Sequence, residues 1–332
     1  MQRRSIDDVV AEARRDLDRV APADLAAEMA AGALVVDIRP VEQRHRDGDM
    51  AGAVVIGRNE LEWRLDPGGP DRIPEASDHD RRVIVVCNEG CASSLAAVSL
   101  HRLGLARATD LDGGFQAWRC FVAASRTERA NAHWEEIYGT RAPTQLSWFE
   151  SQPVMSLEMI AAAKNVDQDT AIIDVGGGAS TLVDELVARD YRDLTVLDVS
   201  QAALEIARSR VGDKANRVRW IAHDLLTWRP PRRYGLWHDR AVFHFLVAPG
   251  QRAAYLAVLH AALEPGGSVI VATFADDGPQ TCSGLPTTRY SPDELAAAFG
   301  PDHDVLASRR EEHLTPNRVV QPFTWLLLQT HT

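Results

Sequence analysis

Cysteine is scarce, with four in 332 residues. That is too few for a disulfide-stapled scaffold and fits a reduced compartment. Lysine is nearly absent: Lys164 and Lys214 stand alone among arginines, a bias read as genome composition rather than mechanism. No stretch approaches the run of about 18 apolar residues that spans a bilayer. The opening Met1-Gln2-Arg3-Arg4 hints at a twin-arginine signal, but Ser5–Val10 is acidic and amphipathic with no apolar core. The expected location is therefore the cytoplasm. A surplus of positive charge is also missing, since 47 acids against 36 bases give a net charge of −11, with both halves mildly acidic. Binding to a nucleic-acid duplex or an anionic membrane needs the opposite balance. What is present is ordinary: 45% hydrophobic and 25% charged residues exclude a disordered chain. The length leaves room for two cores at roughly 150 residues each.

Strand-like and helix-like segments alternate twice. In the first half a helix at residues 5–19 and another from Pro22 to Gly32 precede a strand at Ala33–Ile38. The turn from Asp47 leads into a short strand ending at Ile56. A further strand, Val83–Val86, is followed by a helix from Ser93 to Leu103, with Ser as its cap and Gly104 as its stop. Residues 121–132 carry no strand pattern and mark a boundary. In the second half the strands are Ala171–Val175, Leu194–Asp198, Val218–Ala222, a segment ending at Asp239, and Gly267–Phe274. Helices are expected at Ser180–Arg189, Gln201–Arg210 and Gln251–Leu263. Such alternation implies parallel sheets covered by helices. No repeat links the halves.

Cys87 ends a buried-looking strand just before a helix. Inward-turned N–H groups of a short loop and the helix N-terminus favour a thiolate or bound anion there, although a buried cysteine also serves as a small hydrophobe. Around it stand Asp37-Ile38-Arg39, the stretch Gly48-Asp49-Met50-Ala51-Gly52-Ala53, the loop Cys87-Asn88-Glu89-Gly90-Cys91-Ala92-Ser93-Ser94, and Gly113-Gly114-Phe115-Gln116-Ala117-Trp118. In this order they resemble the rhodanese family over residues 20–122. The resemblance implies a sulfur-carrying nucleophile at Cys87, cradled by Asn88, Glu89, Gly90, Cys91, Ala92 and Ser93. Gly113, Phe115 and Trp118 would close the fold. Ala92 stands where many members have a base that holds an anionic donor. Glu89 opposes ionisation of the thiol and repels thiosulfate, which points to a neutral or small persulfide donor. Cys91 either resolves a persulfide into a disulfide or packs the loop. Cys120 receives no role.

The second half carries Asp174-Val175-Gly176-Gly177-Gly178-Ala179-Ser180 between a strand and a helix. Glycines there let a ligand approach the backbone. The third glycine of a dinucleotide fingerprint would fall at Thr181, so a pyrophosphate fits poorly. Asp174 instead suits a cationic amino-acid end, Asp198 a pair of ribose hydroxyls, and Asp224 an adenine edge. These three acids, with Val199 and Leu225 beside them and Leu263-Glu264-Pro265-Gly266-Gly267 before the fifth strand, resemble a class I S-adenosylmethionine-dependent methyltransferase over residues 133–330. That resemblance implies S-adenosylmethionine as cofactor and S-adenosylhomocysteine as product. On the acceptor side the candidates are His238, Asp239, Arg240 and His244. His238 could also touch the cofactor, and Asp239 with Arg240 could be a structural ion pair. Trp134, Tyr138, Trp148 and Phe149 are either a lid or core aromatics. Cys282 either overhangs the pocket or packs.

The expected organisation is an N-terminal helix (1–19), a rhodanese-like parallel-sheet domain (20–122), a linker (123–132) and a Rossmann-like doubly wound methyltransferase domain (133–332). The expected partners are a small-molecule sulfur donor and a small methyl acceptor; no metal, nucleic acid or membrane is called for. The leading expectation is methylation of a thiol, hydrosulfide or persulfide, with sulfane sulfur handled at Cys87. The alternative is a methyltransferase for an unrelated small molecule or protein lysine, with a sulfur-binding or redox-sensing first domain.

Overall fold

The computed structural model describes residues 4–331; Met1–Arg3 of the opening arginine motif, and Thr332, lie outside the described residues. The chain divides into two compact units, residues 1–126 and 127–332.

The first unit runs α1 (Ile6–Arg15), α2 (Leu25–Ala30), β1 (Leu34–Asp37), α3 (Val41–Asp47), β2 (Val54–Val55), α4 (Leu61–Leu65), β3 (Val83–Val86), α5 (Ala92–His101), β4 (Ala108–Asp110) and the start of α6 (Gly114–Thr140). Ser5 starts α1 through a reciprocal cap: its hydroxyl accepts from Asp8 N at 3.1 Å while Asp8 accepts from Ser5 N at 2.9 Å. The four strands pair in parallel in the order β2-β1-β3-β4. Side chains alternate between faces with period two. Val36, Val83 and Val85 enter one core, while Val35, Ile84 and Val86 enter the other. A strand buried on both faces must read as an unbroken apolar run, which is why Val83–Val86 was legible. The cap of α5 differs from expectation: Cys91, not Ser93, occupies the N-cap position. Ser93 is buried and turned towards Cys87 and Asp110.

Residues 123–132, expected as a linker, lie inside the continuous helix α6. Alanine, arginine and glutamate, which fill this stretch, are strong helix formers.

The second unit adds α7 (Val154–Ala162), β5 (Ile172–Val175), α8 (Leu182–Ala188), β6 (Leu194–Asp198), α9 (Gln201–Val211), β7 (Val218–Ala222), β8 (Tyr234–Arg240), α10 (Pro249–Ala262), β9 (Leu263–Phe274), the small hairpin β10 (Thr281–Cys282) and β11 (Leu285–Pro286), α11 (Pro292–Phe299), β12 (His303–Leu314) and β13 (Val320–Thr330). Its sheet has seven strands in the order β12-β13-β9-β8-β5-β6-β7. Strands β5 to β9 are parallel, and β13 runs antiparallel to both β9 and β12. The two long C-terminal strands extend the five that the sequence pattern indicated. The chain grows outward from β5 through β6 and β7, then returns to β8 on the other side of β5. Ligands settle at the carboxyl ends of strands where such a reversal occurs, and Asp174, Asp198 and Arg240 all stand there. Among the described residues, no helix is long and apolar enough to cross a membrane.

Candidate functional site

In the first unit, β3 delivers Cys87 to the carboxyl edge of the sheet. Its Sγ accepts from Gly90 N at 3.1 Å and lies 3.2 Å from Ser93 Oγ. Ser93 Oγ in turn donates to Asp110 Oδ2 at 3.1 Å, so its single proton is committed and its lone pairs face the thiol. The start of α6 closes the loop from behind. Phe115 N donates to Cys87 O at 2.9 Å, and Gln116 N to Asn88 O at 3.1 Å. Only glycine fits at position 114, which has φ +62°; a Cβ there would stand 2.5 Å from Cys87 O and 2.6 Å from Gly90 N. The Gly113–Trp118 motif is thus a brace for the cysteine loop, and Phe115 also covers the buried Arg39, whose guanidinium carbon is 3.4 Å from the ring centroid.

Ala92 offers no charge, but two arginines that sequence reasoning missed reach the loop from outside it. Arg14 Nη2 donates to Gly90 O at 2.9 Å and lies 3.7 Å from Cys91 Sγ. Arg19 pairs with Asp110 at 2.8 Å. Glu89 is exposed and turned towards Asn88, where solvent screens its charge. Cys87 is buried and Cys91 exposed, and both are free thiols.

In the second unit, a pocket of about 550 Å³ opens at the carboxyl ends of β5 and β8. It gathers eight of the expected residues: Asp174, Gly176, Gly177, Tyr138, Trp148, Phe149, His238 and Arg240. Asp174 Oδ1 accepts from His238 Nδ1 at 2.7 Å, and His238 Nε2 lies 3.0 Å from Ser156 Oγ. The other oxygen, Asp174 Oδ2, is buried without a hydrogen-bond partner. A Cβ at Gly177 would come within 2.5 Å of it, so the glycine keeps this oxygen open. Asp198 Oδ1 accepts from Ser200 N at 2.8 Å. Burial pushes the Asp198 carboxyl up to about 7, with the nearby Asp174 charge adding to the rise. Tyr138 lies over Gly178, its hydroxyl 2.9 Å from where a Cβ would be. Trp134, Tyr138, Trp148 and Phe245 form one aromatic cluster with centroids 5.5–6.5 Å apart. Tyr138, Trp148 and Phe149 also line the pocket.

Other expected residues lie elsewhere. Asp239 and Arg240 are neighbours on β8, so they point to opposite faces and do not pair. Asp239 is buried in the core, accepting from Tyr255 Oη at 2.7 Å and Val242 N at 2.8 Å. Burial raises its carboxyl to about 6. His244 is wholly buried between Phe245 and Phe274, with centroids 4.5 and 4.6 Å away. Burial drives its imidazole down to about 3, aided by the Arg240 charge; neither Asp239 nor His244 borders the pocket. Cys282 packs in the core with Phe274 and Phe323, and burial raises its thiol. Both Asp224 oxygens already serve the chain, one taking the Thr127 hydroxyl at 2.5 Å and the other Leu226 N at 2.9 Å. Leu225 belongs to the core, and Val199 O accepts from Asn131 Nδ2 at 2.7 Å.

Sequence reasoning also missed Glu150, which lines the pocket beside Arg240. Its Oε2 is 3.2 Å from Arg240 Nε. Only its place beside Trp148 and Phe149 marked it.

Fold and sites together define two α/β units, one shaped around a cysteine and one around a glycine-loop pocket. A rhodanese-like domain model matches residues 21–119, and a methyltransferase domain model matches residues 172–267. The thiosulfate sulfurtransferase GlpE of Stutzerimonas stutzeri is 35% identical over 104 residues, covering 31% of this chain and 86% of that protein. Thiocyanate methyltransferase 1 of Brassica oleracea is 26% identical over 138 residues, covering 40% of this chain and 60% of the relative. A solved S-adenosylmethionine-dependent methyltransferase from Anabaena variabilis superposes with a TM-score of 0.49 at 14% identity, over 62% of this chain and 95% of that one. Through its first unit the chain belongs to the rhodanese-like family, and its second unit carries the match to the methyltransferase domain.

Proposed function

We propose that this protein methylates sulfur: it transfers a methyl group from S-adenosylmethionine to a small thiol, hydrosulfide or persulfide, while Cys87 handles sulfane sulfur. The observation that carries this reading is the presence on one chain of a braced cysteine loop and a pocket whose orphaned carboxylate fits a methyl donor. The likeness to a thiocyanate methyltransferase supports a sulfur acceptor.

The pocket's donor set suits the cofactor. Asp174 Oδ2, buried and unpaired, fits an ammonium group, because a buried polar atom demands a partner. Asp198 offers a carboxylate for ribose hydroxyls, and Gly176 and Gly177 border the pocket beside Asp174. When bound, the cofactor supplies an electrophilic methyl on a sulfonium. The chain's own residues then hold the reactants in line and exclude water, His238 and Ser156 by fixing Asp174, and Tyr138 and Trp148 by walling the site. In the first unit, Cys87 as thiolate attacks the outer sulfur of a donor. The donor's S–S bond breaks, the leaving group keeps the electron pair, and a persulfide remains on Cys87 with Gly90 N–H beside it.

The test is acceptor choice. Purified protein with S-adenosylmethionine should release S-adenosylhomocysteine together with methylated sulfur products from sulfide or small thiols. Preferred turnover of amines or hydroxyl compounds would overturn the reading.

A further inference from the structure

Glu150 and Arg240 do not form an ordinary buried ion pair. Arg240 is nine-tenths buried and Glu150 only slightly less so, with side-chain exposures of 10% and 16%. Arg240 Nη1 donates to Trp148 O at 3.1 Å, and the guanidinium carbon sits 4.9 Å from the Phe323 ring centroid. Nη2 is buried with no hydrogen-bond partner. An ion pair kept for stability would satisfy its donors, since a buried cation left incompletely paired costs several kcal/mol.

The carboxylate is equally unsettled. Glu311 of β12 faces it as a second acid, held in place by Trp325 Nε1 at 2.8 Å. His313 of β12 approaches too, its Nδ1 3.9 Å from Glu150 Oε1. The His313 Nε2 lies 2.7 Å from Ser147 O, a carbonyl that can only accept, so Nε2 carries the ring proton and Nδ1 turns a lone pair towards Glu150. Glu150 therefore meets one cation, one acid and one imidazole lone pair, an arrangement that holds a proton readily. Both Glu150 and Arg240 border the pocket that contains Asp174 and His238.

We propose that this pair is the acceptor subsite: Arg240 Nη2 holds the methyl acceptor as an anion, and Glu150 takes the proton the acceptor gives up. The inference rests on the sulfur-methylating reading and names the acceptor as an ionisable thiol or hydrosulfide. The acceptor's S–H bond breaks, its proton passes to a Glu150 oxygen, and the electron pair stays on sulfur opposite the guanidinium. That sulfur then bonds the methyl carbon as the sulfonium C–S bond breaks, with the departing thioether keeping the pair. Glu150 afterwards returns its proton to solvent. Burial lifts the Glu150 carboxyl to about 7 against the pull of Arg240, and Glu311 lifts it further; a base is most useful near the working pH.

Two measurements on the full chain test this. In the first, S-adenosylhomocysteine-loaded protein is titrated with 4-nitrothiophenolate, a thiol already ionised at neutral pH, by calorimetry in buffers of different ionisation enthalpy. At pH 7 a carboxyl titrating at about 7 is already half protonated, so an anion placed beside Glu150 should draw about half a proton onto the wild-type protein and none onto E150Q, as linkage requires. R240Q should bind the probe at least about tenfold more weakly, with unchanged affinity for S-adenosylhomocysteine. In the second, E150Q should slow methylation of an alkyl thiol on the order of 10²-fold, while largely sparing the pre-ionised probe.

Equal loss with both thiols, or proton uptake that survives E150Q, overturns the proposal. Weaker cofactor binding by R240Q with unchanged probe binding assigns the guanidinium to the donor's carboxylate and also overturns it. A wild-type protein that methylates no thiol is a different failure, removing the sulfur reading itself and this subsite with it.

Discussion

Around Cys87 the loop's polar groups are committed to partners within the first unit. Gly90 N–H and Ser93 Oγ face the sulfur, the carbonyls of Cys87 and Asn88 accept from α6, and Gly90 O accepts from Arg14. In the second unit's pocket, Asp174 Oδ2 and Arg240 Nη2 are buried and have no hydrogen-bond partner. The difference follows from the chemistry each site would perform. A covalent carrier has to orient one atom, and the chain's own backbone can finish that task before any substrate arrives. A pocket for charged, diffusible ligands must hold groups back from internal partners. It carries a stability cost until the ligand supplies the missing bonds.

For cofactor binding, the largest effect should come from removing the open charge. Asp174→Asn deletes the anion that would meet the cofactor's ammonium, a charge-assisted contact worth about 2 kcal/mol, or roughly 30-fold in Kd for S-adenosylhomocysteine. Calorimetric titration checks it, and unchanged affinity would place the ammonium elsewhere. A smaller effect is expected from Asp198. Its carboxyl is raised from 3.8 to about 7 in the folded chain, so the folded state holds a proton that the unfolded chain has released. Its contribution therefore erodes as pH climbs from about 4 to about 7. Asp198→Asn should flatten that slope, which thermal melts between pH 5 and pH 7.5 would show at roughly 2–4 °C per kcal/mol removed. The smallest change is expected on the other side of the comparison. Glu89 is exposed, so Glu89→Gln should improve sulfur transfer from thiosulfate by no more than about twofold. A much larger gain in steady-state kinetics would mean that its charge reaches the sulfur after all.

Much of this arrangement was readable in the sequence because it depends on local rules. Val83–Val86 is an unbroken apolar run, and the glycines after β5 and the acids ending β5 and β6 mark strand-to-helix turns. β12 was not readable. Its stretch Ser308-Arg309-Arg310-Glu311-Glu312 is mostly charged because it forms a sheet edge, where charged residues are favoured, and a register shift between Val305 and Ala307 breaks its alternation. The cost was functional as well as architectural: without β12, neither Glu311 nor His313 could be placed beside Glu150. Asp239 and His244 misled for a related reason. A polar residue near a strand's carboxyl end looks like a site residue until the face it occupies is known, and both face the core. Arg14 was missed because its partner Gly90 is 76 residues away in sequence.

The central claim is that a sulfur atom received at Cys87 ends up methylated by the same chain. A small thiolate attacks the inner sulfur of the Cys87 persulfide, the S–S bond breaks, and hydrosulfide leaves with the electron pair to be methylated. A second thiol clears the mixed disulfide left on Cys87. The most direct measurement feeds purified protein S-adenosylmethionine with either a small persulfide or sulfide, and quantifies methylated sulfur products and S-adenosylhomocysteine for wild type and Cys87→Ser. The account predicts that persulfide-fed methylation collapses in the variant while sulfide-fed methylation survives. Persulfide-fed methylation that is indifferent to Cys87 would contradict it.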